Sequence, residues 1–271
     1  LETAVDAQLF LLCVLTFVIH LIGALAYAVR IAGVRTRRIA MSFALFNVLV
    51  LLSRASNAFQ GPFLSKRIEK DLLAGTGHHL LADFQWLMAS ASLAALVGAL
   101  AIPTAQRLFT RAVAHFQVHR SVPKLLMHAF AKGGLSYVRD AVALPSPGHI
   151  QGLKQKIEVP ARVIVLNVLA QALLTVGVFA SLYAGYLDPQ FRVTAVSLSS
   201  VINGVATILL FVLIDPALSI MTDDVMDGRV SEPAFRRAVV WFAGSRVAGT
   251  VLAQLLLVPA ASGVVILARL I

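Results

Sequence analysis

IAMSFALFNVLVLLSRASNAFQGP, residues 39–62, holds one charged side chain, Arg54, in an otherwise apolar run flecked with Ser, Asn and Gln. About 20 predominantly apolar residues in a helix cross roughly 30 Å of hydrocarbon, so this stretch reads as a membrane-spanning helix. Comparable runs lie near 8–29, 39–63, 84–105, 161–186, 192–215 and 238–258, with 259–271 either extending the last span or lying beyond it. Hydrophobic residues make up 59% of the chain and charged ones 13%, and the mean hydropathy is +0.85, far from the balance of a water-soluble domain. The expected fold is an all-α integral membrane protein: one polytopic domain over residues 1–271, a bundle of about six transmembrane helices with amphipathic interfacial helices in the long central cytoplasmic loop. The first run has no basic n-region and continues through GALAYAVR into a membrane hairpin, so it is expected to be retained rather than cleaved.

Orientation follows from the Lys and Arg of the connections, because the cytoplasmic side retains the excess. The first, third and fifth connections hold Arg30, Arg35, Arg37 and Arg38, then eight basic residues between Arg107 and Lys156, then Arg229, Arg236 and Arg237. The opposite side holds Lys66, Arg67, Lys70, Arg192 and Arg269. Both termini are therefore expected outside the cytoplasm. The formal charge of +10 is gathered beside membrane spans without a nucleic-acid-binding motif, which points to anionic lipid head groups and away from nucleic acid. Cys13, in the first span, is the sole cysteine, so no intrachain disulfide or cysteine-rich metal site is available.

Residues 106–160 form the long cytoplasmic connection. Leu108, Phe109, Val113 and Phe116 set against Arg107, Arg111 and Arg120 give the pattern of a helix lying on the membrane surface. Pro123 is expected to start a second short helix that Gly133 and Gly134 end, and LPSPGH, residues 144–149, marks a bend before the fourth span. Such a segment is either a membrane-hugging connector or a platform that admits an anionic lipid.

A charged side chain at the centre of a span costs about 2.5–3.5 kcal/mol on insertion scales, so Arg54 is expected to face a partner or a wet cavity. Asn47 and Asn57 fall near the same helical face, with Gln60 near the exit. Other polar groups at membrane depth are His20, Asn167 with Gln171, Asn203, Arg246 and Gln254. A purely structural account exists, in which amides join helices and one arginine pairs with Asp215. The excess of intramembrane cation over carboxylate argues instead for an anionic ligand, and guanidinium groups suit phosphate because they donate paired hydrogen bonds in one plane.

TDDVMDG, residues 222–228, offers different chemistry. Asp223, Asp224 and Asp227 have the DDxxD spacing with which isoprenoid-diphosphate enzymes hold magnesium, but no second aspartate-rich motif accompanies them, and a solvated helix cap is the simpler reading. His115 and His119 are spaced as metal ligands without the glutamate of HExxH. Neither a GxxxxGK[ST] phosphate loop nor a GxSxG nucleophile elbow occurs. No cofactor is implied.

HLIGALAYAVRIAGVRTRRIAMSFALFNVLVLLSRASNAFQGP, residues 20–62, resembles the Amj family of bacterial lipid II flippases through its AYAxRxAGVRT and LxSRxSNxxQxP segments. The resemblance implies transport of undecaprenyl-diphosphate-linked peptidoglycan precursor across the bacterial inner membrane, from the cytoplasmic to the outer leaflet. A flippase must lower the cost of carrying a diphosphate and sugars through hydrocarbon, and a polar cationic groove does so while the lipid tail stays in the bilayer. Arg54, Arg246, Asn57 and Asn203 are the candidates for that groove, and Arg30, Arg35, Arg37 and Arg38 for gathering the head group at the cytoplasmic entrance. The competing readings are a magnesium-dependent isoprenoid-diphosphate enzyme built on DDVMD and a lipid-binding scaffold for other envelope proteins.

Overall fold

The computed structural model describes residues 6–119, 139–143 and 159–271, and six of its helices are long and apolar enough to cross a membrane. The first three are α1 (Ala7–Thr36), α2 (Ile39–Ala74) and α3 (Leu80–His119). The fourth is α4 (Ala161–Leu187). The fifth span is segmented into α5 (Arg192–Ser197), α6 (Ser199–Ile208), a π-helical stretch (Leu209–Ile214) and α7 (Asp215–Met226). The sixth is α8 (Glu232–Leu270).

The helices overrun the apolar runs that predict them. α3 continues unbroken from the membrane to His119, so the first part of the basic segment extends the third span instead of lying on the surface. Phe109 meets Phe46 of α2 edge-to-face at 6.2 Å and is thereby packed into the bundle. The expected turn at Pro123, the glycine stop and the LPSPGH bend lie outside the described residues. α8 runs through Pro259, so residues 259–270 extend the last span.

The fifth span breaks where its sequence demands. Pro216 has no N–H to offer the carbonyl four residues back, and its ring presses on that carbonyl. The wider π-helical turn directly before Asp215 accommodates the mismatch.

Two groups of three helices share one packing pattern. In the first, α1 packs on α3 and α2; in the second, α4 packs on α8 and the fifth span. Close approach depends on small residues, as usual where lipid gives no hydrophobic drive between helices. A methyl group at Gly98 would lie 2.5 Å from the Ala24 side chain of α1, and one at Gly249 would lie 2.6 Å from the Val168 carbonyl oxygen of α4. α3 against α8 joins the groups, so α1, α3, α8 and α4 form the centre, with α2 and the fifth span on the flanks. An odd number of spans per group gives the two groups opposite orientations across the membrane.

The apolar core is divided. One cluster holds Leu12, Leu64, Phe84, Phe179, Leu257 and Val264, at the end of the bundle where α1 begins. A second holds Ile31, Val34, Ile102, Val163, Phe235 and Phe242, at the opposite end, and a small third joins Ile22 and Val29 of α1 to Phe46 of α2. At the first end Arg67 bridges Asp6 at 2.6 Å and Asp83 at 2.7 Å, and Arg269 holds Asp188 at 2.7 Å. Partial burial pushes the Asp6 carboxyl up, but hydrogen bonds from Arg67 and the Leu9 amide outweigh it and hold the carboxyl below its usual range. Between the clusters lies a polar layer.

A cationic groove at membrane depth

Most of the polar layer is satisfied internally. The Asn167 amide of α4 donates to Ser245 Oγ at 2.7 Å and to the Phe242 carbonyl at 3.3 Å, and Gln171 donates to Asn167 Oδ1 at 3.4 Å. Gln60 of α2 donates to Thr16 of α1, and Gln254 of α8 donates to Ser92 of α3 at 2.9 Å. Gln60 is thus a helix-joining amide, buried away from the face that exposes Asn47 and Asn57.

Arg246 breaks this pattern. Its Nε is buried and has no hydrogen-bond partner, and no carboxylate among the described residues forms an ion pair with it. Its guanidinium lies against α1: a methyl group at Gly23 would come 2.3 Å from Nη2 and 3.0 Å from Cζ. Beside it are the Tyr27 hydroxyl and the His20 imidazole, whose buried Nδ1 is also unpartnered. Buried polar atoms are nearly always paired in folded proteins, so unpartnered nitrogens on both of these neighbouring side chains stand out in this layer.

Arg54 is placed differently. The buried residues of α2, including Ser42, Phe46, Ser56, Gln60 and Leu64, form the face against α1, while Asn47, Arg54 and Asn57 are exposed. At about 100° per residue these three fall on one edge, roughly 50–130° from the centre of the buried face. Phe43 and Ser65 share that edge, and their contacts show what it faces. The Arg30 guanidinium sits over the Phe43 ring at 5.2 Å and reaches Asp215 of α7 at 3.4 Å. At the other end Ser65 lines a cavity of about 260 Å³ with Leu182 of α4 and Arg192, Val193 and Val196 of α5. The edge bearing Arg54 therefore lies on the side of α2 that is turned toward the fifth span at both of its ends. Leu51, Leu52 and Phe59, also exposed, occupy the remaining outer face of α2. No ion pair engages Arg54 among the described residues.

Of the sequence-predicted groove residues, Arg54 and Asn57 lie on the exposed edge of α2, and Arg246 of α8 lies in the polar layer against Gly23 of α1. Asn203, on α6 of the fifth span, packs on Gly177 of α4 with its buried Oδ1 unpartnered. Arg30 is the arginine that pairs with Asp215. Arg35 is held by Glu232 at 2.9 Å. Arg37 takes a left-handed backbone (φ 53°) in the turn between α1 and α2, where it and Arg38 are exposed. His20, read only as a buried polar residue, together with Tyr27 and Gly23, completes the surroundings of Arg246. The sequence signal for them was the glycine and tyrosine spacing of the GALAY segment.

The aspartate cluster is engaged by a cation of its own. Arg229 bonds Asp224 at 2.7 Å and Asp227 at 2.8 Å, and these contacts raise its own already high proton affinity. Among the described residues no three His, Cys, Asp or Glu side chains stand where they would hold a metal ion.

The family model "Amj: Alternate to MurJ" matches residues 15–268. A protein of Bacillus subtilis (strain 168) named "Lipid II flippase Amj" is 38% identical over 257 residues, covering 93% of each chain. No solved structure matches. With a membrane bundle of six apolar helices and a family match along nearly its whole length, the chain belongs to the Amj family.

Proposed function

We propose that this protein is a lipid II flippase: a transporter, not an enzyme, that carries an undecaprenyl-diphosphate-linked peptidoglycan precursor from the cytoplasmic to the outer leaflet. The name and 38% identity of the Bacillus subtilis relative support the substrate class. The observation in the structure that supports it is the pair of intramembrane arginines, Arg54 and Arg246, that have no carboxylate partner among the described residues. A groove open along the bilayer lets the lipid tail stay in hydrocarbon while the diphosphate exchanges water for guanidinium hydrogen bonds, which is the costly part of the journey. Arg54, Asn57, Asn203 and Arg246 would receive the head group. Arg30, Arg37 and Arg38, with Arg35 beside them, would gather it at the cytoplasmic mouth, helped by attraction of the same arginines for anionic lipid. This assignment puts both termini outside the cytoplasm.

The aspartate cluster takes no part in this scheme, because Arg229 occupies two of its carboxylates. The test is movement of labelled lipid II across vesicles containing the purified protein, with and without a magnesium chelator. Movement that persists under chelation is expected. Chemical conversion of the lipid that requires magnesium would instead favour the enzyme reading, and binding without movement the scaffold.

A further inference from the structure

We propose that Arg246, His20 and Tyr27 form an inner diphosphate site, distinct from the outer wall at Arg54, and that Gly23 exists to let the Arg246 guanidinium lie against α1. The inference deepens the flippase reading and rests on it for the identity of the lipid. His20 Nδ1 and Arg246 Nε are both closed off from solvent and unpartnered, and they come from different helices. The sealed N–H of Arg246, with a neighbouring His20 that presents Nδ1–H in one of its tautomers, calls for a ligand that accepts hydrogen bonds and carries negative charge, because a neutral group would leave the guanidinium uncompensated. A diphosphate diester has that chemistry: oxygens on two adjacent phosphorus atoms, charged throughout the neutral pH range. Arg246 is partly exposed as a residue while its Nε is sealed. The Tyr27 hydroxyl stands between Arg246 and Asn167, and Asn167 is itself fixed by Ser245. Tyr27 is therefore a positioning residue that ties the guanidinium to the Asn167–Ser245 network.

Gly23 provides the discriminating perturbation. A methyl group there collides with the guanidinium, the far end of a flexible side chain, and with no backbone. Gly23→Ala should thus move the arginine head group while sparing the helix packing, whereas alanine at Gly249 would strike the Val168 carbonyl and the Ala172 amide. The experiment measures lipid II binding to the full-length protein in nanodiscs for wild type, Gly23→Ala and His20→Gln, with thermal melting as the fold control and vesicle translocation alongside. The expected result is at least a tenfold loss of affinity in both variants at unchanged melting temperature, with inorganic pyrophosphate competing for the wild type. Wild-type affinity in both variants would overturn the inner site and leave the flippase reading intact if translocation persists. Should wild type neither bind nor move lipid II, the flippase reading fails, and pyrophosphate binding decides the site: binding that both variants weaken upholds a diphosphate site for another lipid, and equal or absent binding ends it.

Discussion

Replacing Asp215 with asparagine strips the counter-charge from Arg30, whose side chain is only 14% exposed. Removing one partner of a fully buried pair costs about 3–5 kcal/mol, whereas exposed pairs contribute about 0–1 kcal/mol. The Asp215 side chain is 43% exposed and the contact is a single one at 3.4 Å, which places this pair between those limits. We expect Asp215→Asn to destabilise the protein by about 1–2 kcal/mol, and Arg30→Gln by less, because that change also removes the desolvated cation. A double-mutant cycle on purified protein in mixed micelles, unfolded with SDS, should return a coupling near 1 kcal/mol. The pair also spans the groove mouth, joining α1 to α7 just beyond the π-helical stretch. Freed from Asp215, Arg30 should bind lipid II more tightly. A coupling below about 0.3 kcal/mol, within the scatter of additive sites, together with unchanged lipid affinity would refute the reasoning.

Arg54→Leu should raise stability, by at most about 3 kcal/mol because the groove partly hydrates the cation, while transport falls; melting and translocation measured on the same preparations check the opposition. Alanine at Gly249 should destabilise by about 1–3 kcal/mol through overpacking against α4, whereas alanine at Gly244, which meets nothing within 4 Å, should be neutral or slightly stabilising; melting temperatures of the two variants decide it. Neutralising Asp223 and Asp224 together should leave translocation within about twofold of wild type in the vesicle assay, a change of under ~0.5 kcal/mol. Arg37→Gln with Arg38→Gln should slow translocation several-fold in vesicles rich in anionic lipid, each near-surface cation being worth about 1 kcal/mol there, which a comparison with neutral vesicles measures.

The spans were legible because hydropathy reports the solvent directly: the backbone must be helical in lipid whatever its neighbours do. Their ends were less so. α2 reaches Ala74 and α3 reaches His119 because contacts such as Arg67 with Asp83 and Phe109 with Phe46 reward helix beyond the hydrocarbon. The break in the fifth span had its signal in Asp215-Pro216, yet the π-helical relief before it depends on neighbouring helices. For the site, the shared edge of Asn47, Arg54 and Asn57 followed from spacing alone. Which arginine would meet Asp215 did not, since that is decided by how α1 approaches α7, and the crossing of helices is invisible in one sequence. The proximity of His20 to Arg246 was hidden for the same reason, the two lying on the first and last helices. Gln60, close to the Arg54 edge in sequence, turned out to join α2 to Thr16.

The most direct test of the cationic groove compares the rate at which lipid II becomes accessible on the far side of vesicles containing wild type, Arg54→Ala or Arg54→Lys. Charge-assisted hydrogen bonds contribute about 1.5–3 kcal/mol, so alanine should slow the movement by roughly tenfold to a hundredfold. Lysine should restore only part of it, because it lacks the planar pair of donors. Wild-type rates in the alanine variant, at equal protein density, would contradict the account.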